Sequence, residues 1–237
     1  MRSKDVKHLR KLLALMLCCC LLFIPVHGAE TEKLVCLTFD DGPSGRFTRR
    51  LLDGLAEYDV KATFLLCGYR IEQYPQLSQR IHEEGHEIGL HGYSHDSMKN
   101  MCRYTLTRAL QKVRALLPED CEVTFLRPPG GLCGGCTETV AKDFGLAILQ
   151  WSVDPRDWAT QDATAVEKAV LNQVKDGDII LLHDMSDSSV DAALRLIPKL
   201  QQQGYRFVTA SELARAKGVT LLPGKQYFRF LAEENPK

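Results

Sequence analysis

From residue 33 onward, short apolar runs alternate with longer stretches that read as helices, and this alternation constrains the fold more than any other feature. The apolar runs cover residues 33–39, 62–67, 87–90, 123–126, 146–153, 178–182 and 205–208. Helices are predicted at 47–58, 71–84, 104–117, 137–144, 163–175, 190–203 and 211–217. In the first of these, Phe47, Leu51, Leu52 and Leu55 share one face. Pro198 is expected to kink its helix, and Ser211 to cap the last one. Apolar strands between amphipathic helices form a parallel sheet covered on both faces. Seven such units in a chain this short suit an α/β barrel, closed or nearly so, better than an open doubly wound sheet.

Residues 1–28 stand apart. Arg2, Lys4, Lys7, Arg10 and Lys11 precede a wholly apolar run at 12–24, and Val26-His27-Gly28 sets small or permissive residues before Ala29. That is the pattern of a secretory signal peptide. The run is short for a membrane span, which takes about 20 residues; an uncleaved anchor is the alternative. The expected layout is a leader or anchor at 1–28, one domain at 33–222 and a tail at 223–237. Such a chain is secreted or held at the cell envelope, is a monomer, and meets a membrane only through its N-terminal segment. The formal net charge is zero, which gives no reason to expect nucleic acid as a partner. Cys36 and Cys67 fall in apolar runs and read as core residues. Cys102, Cys121, Cys133 and Cys136 remain open for disulfides, and Cys133-x-x-Cys136 lacks the second CxxC of a zinc site.

In a β/α barrel, reactive groups collect where strands end on their C-terminal side. Here five strands end in polar chemistry. The first ends in Asp40-Asp41, two like charges that need a cation or an arginine beside them. The third ends in His91-Gly92-Tyr93-Ser94-His95, the fourth in Arg127-Pro128-Pro129-Gly130, the fifth in Asp154-Pro155-Arg156-Asp157-Trp158, and the sixth in His183-Asp184. Two histidines four apart, with an aspartate on a neighbouring strand, form a His/His/Asp set of the kind that holds catalytic zinc with one position open. Arg127 is placed to grip Asp40 through a bidentate pair. Asp157 and His183 end adjacent strands and are placed to pair, which would raise the imidazole pKa and suit it to donate a proton. Trp158 reads as core or as a wall on which a sugar stacks.

The ordered segments Thr38-Phe39-Asp40-Asp41-Gly42-Pro43, His91-x-x-x-His95, Arg127-Pro128-Pro129, Asp154-x-x-Asp157-Trp158 and Ile179-x-Leu181-x-His183 resemble the five motifs of the polysaccharide deacetylases, the NodB-homology domains of carbohydrate esterase family 4. The resemblance spans residues 33 to about 222. It implies a distorted (β/α)7 barrel, a divalent metal (zinc first, cobalt or nickel as substitutes) and hydrolysis of acetyl groups from N-acetylated glycans such as peptidoglycan or chitin-like polymers. It implies Asp41, His91 and His95 as metal ligands, Asp40 as general base and His183 as general acid. Arg127 would position Asp40, and Asp157 would tune His183. Gly130 would offer its N–H to the oxyanion, and Trp158 and Leu181 would wall the acetyl pocket. Two positions depart from the family pattern: Gly92 replaces a Ser or Thr, which implies a looser loop, and Gly130 replaces an aromatic, which removes a groove wall. Two other readings keep the fold: an esterase acting on O-acetylated xylan, and a glycan-binding protein without activity.

Overall fold

The first strand, β1 (Lys33–Asp40), shows why the sheet is buried on both faces. Its side chains alternate between two apolar environments. Val35, Leu37 and Phe39 join the larger core cluster, and Leu34 and Cys36 join a smaller one. Thr38 and Asp40 continue the second column, so that column turns from apolar to polar toward the C-terminal end of the strand. The computed structural model describes residues 32–232, and the leader expected at 1–28 lies outside them.

The remaining strands are β2 (Thr63–Leu66), β3 (Glu87–Leu90), β4 (Phe125–Leu126), β5 (Ala147–Leu149), β6 (Ile179–His183) and β7 (Tyr205–Phe207). All pair in parallel, in the order β6-β1-β2-β3-β4-β5, and β7 pairs with the N-terminal half of β1. Register brings the polar strand ends to one level. Asp40 lies across from His183, and Leu90 across from Leu126, so His91 and Arg127 leave neighbouring strands side by side. Val153 bridges Ile180 and joins the end of the β5 segment to β6. The result is a distorted, incompletely closed (β/α) barrel.

The segment expected as a tail takes part in this closure. Gln226–Tyr227 forms an additional strand, β8, paired in parallel with β5. Phe230 N–H then donates to Gly177 O at 2.9 Å, and Arg229 bridges Asp178. Tyr227 and Phe230 are buried in the smaller cluster, which lies on the Leu34 and Cys36 side of the sheet. β8 therefore occupies the gap that the short β5 leaves on its free edge.

The helices are α1 (Gly45–Glu57), α2 (Gly68–Gln73), α3 (Pro75–Glu83), α4 (Arg103–Arg114), α5 (Thr137–Asp143), α6 (Asp157–Thr160), α7 (Ala163–Leu171), α8 (Asp187–Gln202) and α9 (Ala210–Ala216). The single helix predicted at 71–84 is two. Pro75 has no N–H to offer and pushes the residue before it out of helical geometry, and Tyr74 sits at φ −134°, ψ 57°. α8 runs unbroken through Pro198. The cap of α9 is Thr209 in a capping box with Glu212, while Ser211 donates its hydroxyl to Glu87. Cys36, Cys67, Cys102, Cys121, Cys133 and Cys136 are free thiols.

Burial decides how the two aromatics of the last segment respond to truncation. Phe230→Ala empties a fully buried site and should cost about 3–5 kcal/mol in urea denaturation. Phe228→Ala, at a residue 54% exposed, should stay within about 0.5 kcal/mol. Equal effects would show that the segment does not help to close the barrel.

Candidate active site

Arg127 is the fully buried charge at the centre of the strand ends. Its Nη1 donates to Asp40 Oδ1 at 2.6 Å and to the Thr38 hydroxyl at 2.8 Å. Nε donates to Leu149 O at 2.9 Å, and Nη2 to Gln150 O at 3.0 Å. The grip on Asp40 is therefore a single bond and not the expected bidentate pair, because the other donors are taken by carbonyls of the β5 segment. Asp40 Oδ2 is left free of Arg127. The Thr38 hydroxyl accepts from Arg127 and donates to Ile180 O at 2.8 Å, tying β1 to β6.

Asp41 turns the other way. Its φ is +73°, a left-handed conformation that a non-glycine residue adopts only when its surroundings hold it there. Its Oδ1 lies 3.2 Å from His91 Nε2 and 3.2 Å from His95 Nε2. His95 is also left-handed, at φ +60°. The three ligand atoms lie within 4.8 Å of one another. His91 Nδ1 lies 2.8 Å from Arg127 O; a carbonyl can only accept, so Nδ1 carries a proton and Nε2 of the neutral ring presents a lone pair. Asp41 Oδ1 is buried and accepts no well-formed hydrogen bond. Lone pairs converging on one point with no proton between them are what a cation resolves, so the residues present fit a divalent metal. Burial raises the Asp41 carboxyl, but His91 first, then His95 and His183, outweigh it when their rings carry a proton and hold the group below its ordinary value, so Asp41 stays anionic whether a proton or a cation faces it. Gly92, between His91 and His95, sits at φ +83°, and its carbonyl accepts from Gly68 N–H at 3.0 Å, which anchors the loop to the start of α2.

His183 is gripped twice by one carboxylate. Asp157 Oδ1 lies 2.8 Å from Nδ1, and Oδ2 accepts the His183 backbone N–H at 2.8 Å. Burial pulls the imidazole pKa down, but the Asp157 hydrogen bond and charge, with Asp40 and Asp41 beyond, push it up to about 9. Nδ1 is occupied, so Nε2 is the atom left to meet a substrate.

These groups line one cavity of about 390 Å³. Asp40, Asp41, His91, His95, Gly130, Trp158, Leu181 and His183 face it, and Arg127 and Asp157 stand directly behind. Gly130 sits at φ +63°, and an added Cβ there would meet only Leu132 Cγ, at 3.9 Å. Trp158 is exposed and lies under the Arg156 guanidinium. A larger cavity of about 540 Å³, lined by Tyr93, Met98, Met101 and α4, takes in residues 92–94 and 96 of the same loop but holds no such set of converging ligands.

Three residues to which the sequence assigned no role also belong to this region. Trp151 and Asp154 also line the cavity that holds Asp40 and His183. Asp184 is fully buried next to Gly42; burial pushes its carboxyl up to about 6, the Thr48 hydrogen bond works against that, and the Asp41 charge adds to it. Asp154 stood in a recognised motif and Asp184 beside the candidate acid, but neither position says which way its side chain points.

The sequence profile described as polysaccharide deacetylase matches residues 27–149. A Listeria monocytogenes protein named peptidoglycan-N-acetylglucosamine deacetylase PgdA is 40% identical over 205 residues, covering 86% of this chain and 43% of its own length. The chain thus spans less than half of that relative. A Bacillus cereus peptidoglycan-N-acetylglucosamine deacetylase is 38% identical over 194 residues, covering 79% of this chain and 91% of its own. A solved family 4 acetyl xylan esterase from Clostridium thermocellum, in complex with a cobalt ion, superposes with a TM-score of 0.78 at 34% identity, covering 83% of this chain and 98% of that one. With the barrel, the order of the motifs and these likenesses in agreement, the chain belongs to the polysaccharide deacetylase family.

Proposed function

We propose that this protein hydrolyses the acetamido groups of an N-acetylated glycan of the cell wall, using a divalent metal held by Asp41, His91 and His95. The observation that carries the reading is the convergence of three groups on one cavity: a His/His/Asp ligand set, a carboxylate with one free oxygen, and an imidazole held protonated. Zinc suits the donor set best. A metal bound there supplies Lewis-acid polarisation of the acetyl carbonyl and an acidified water.

The chain's own residues do the rest. Asp40 takes the proton of the attacking water at Oδ2, because Oδ1 is committed to Arg127. The Gly130 N–H donates to the oxygen on which negative charge develops. His183 gives its Nε2 proton to the departing amine, while Asp157 keeps the ring oriented and stabilises its charged form. Leu181 and Trp158 enclose the acetyl methyl and the sugar face. The substrate in the names of the Listeria and Bacillus relatives favours peptidoglycan, and the leader pattern at 1–28 would deliver the protein to it.

Acetate release from peptidoglycan, N-acetylglucosamine oligomers and acetylxylan tests this reading. Release from the N-acetylated glycans, lost with EDTA and restored by zinc, is the expected result. Release from acetylxylan alone would make the protein an ester hydrolase, and no release from any of them would leave a binding protein.

The pH profile tests the acid. Stabilisation of the charged ring means His183 stays protonated up to about 9, so kcat should hold through neutral pH and fall as pH rises through about 9. Asp157→Asn removes the main raising cause and should move that alkaline limb toward the ordinary histidine value of about 6.5. A limb that does not move would exclude His183 as the acid.

A further inference from the structure

Asp184 has no part in the chemistry assigned above, yet its position is costly. The side chain is fully buried. One carboxylate oxygen, Oδ2, accepts the Thr48 hydroxyl proton, and Oδ1 has no partner among the described residues. A buried charged oxygen without a partner is expensive, and an apolar group of the same shape would fill the space at lower cost. Such a group calls for a compensating charge nearby.

The geometry shows where that charge would be. The carboxylate packs against the backbone of Gly42, where an added Cβ would lie 2.5 Å from Oδ1 and 2.7 Å from Oδ2. Only a glycine lets the two approach this closely. Gly42 follows Asp41, whose left-handed backbone aims its carboxylate at His91 and His95. Thr48, which holds Asp184, also accepts Ser44 N–H at 2.5 Å, so the same hydroxyl pins the anion to the start of α1. A buried anion thus backs the loop that carries the metal ligand.

We infer that Asp184 is a fixed counter-charge behind this loop, which raises the affinity of the Asp41, His91 and His95 set for a divalent cation. Charge balance supports the role. Arg127 offsets Asp40, and protonated His183 offsets Asp157. Asp41 alone leaves one charge of a dication uncompensated, and Asp184 supplies the second negative charge.

The inference rests on the metal reading above, and zinc titration separates the two. Wild-type protein and Asp184→Asn are titrated calorimetrically with zinc chloride at pH 8. Asparagine keeps the shape and can still accept from Thr48. The expected result is zinc affinity weakened by about 10- to 100-fold, the range known for groups that support ligands from behind. The metal-free variant should melt at the wild-type temperature or above, since a buried uncompensated charge is gone. Cobalt(II) absorption maxima should not move, because the ligands are the same. Zinc affinity within about threefold of wild type, on the same scale of effects, would overturn the inference and leave the metal reading intact. Loss of metal-free stability alongside affinity would overturn it in favour of a packing role. No zinc binding by the wild type would overturn both. If Asp184→Asn does not fold, Asp184→Leu serves instead: it fills the space without the charge, so zinc affinity should fall by about tenfold or more, and affinity within about threefold of wild type would overturn the inference.

Discussion

A buried guanidinium is stable only where its donors meet acceptors, and Arg127 meets them on two sides of the barrel mouth. Toward β1 it reaches Thr38 and Asp40; toward the β5 segment it reaches Leu149 O and Gln150 O. Its own carbonyl receives the His91 Nδ1 proton. One residue therefore fixes the orientation of the candidate base, the tautomer of a candidate metal ligand and the spacing of three strand ends. Breaking a buried pair of this kind typically costs about 3–5 kcal/mol, because the surviving charge is left alone. The site and the stability of the barrel mouth are in this sense one structure.

That arrangement explains how two adjacent aspartates coexist. Alternation along β1 sends Asp40 inward to Arg127, and the left-handed turn at Asp41 sends the next carboxylate outward to the histidines. Each charge has its own partner. The second ion pair, Asp157 with His183, repeats the pattern on β6 with the charges exchanged, so the cavity has a proton acceptor on one side and a donor on the other.

Much of this was legible because strand ends are legible. A run such as Leu34-Val35-Cys36-Leu37 fixes a buried strand, and the polar residues that follow must lie at its mouth. Five such ends, ordered by a parallel sheet, bring the site together before any contact is known. What escaped depends on tertiary context. β8 is two residues long and carries no periodicity; it exists because β5 leaves an edge to cover. Asp184 reads as a polar residue at a strand end, and only the missing Cβ of Gly42 and the Thr48 bond show it to be buried. The Tyr74-Pro75 break divides a stretch whose Ile71, Tyr74, Leu77 and Ile81 recur at near-helical spacing on both sides of the proline, so periodicity alone does not show it.

The division of labour between the two aspartates is the central claim, and one paired measurement addresses it. Zinc affinity and acetate release are measured side by side for Asp40→Asn and Asp41→Asn. The account predicts that Asp40→Asn binds zinc nearly as the wild type does while kcat falls by about 10²- to 10⁴-fold, the usual worth of a positioned base. It predicts that Asp41→Asn loses zinc itself. Zinc lost from Asp40→Asn, or turnover retained by it, would contradict the account.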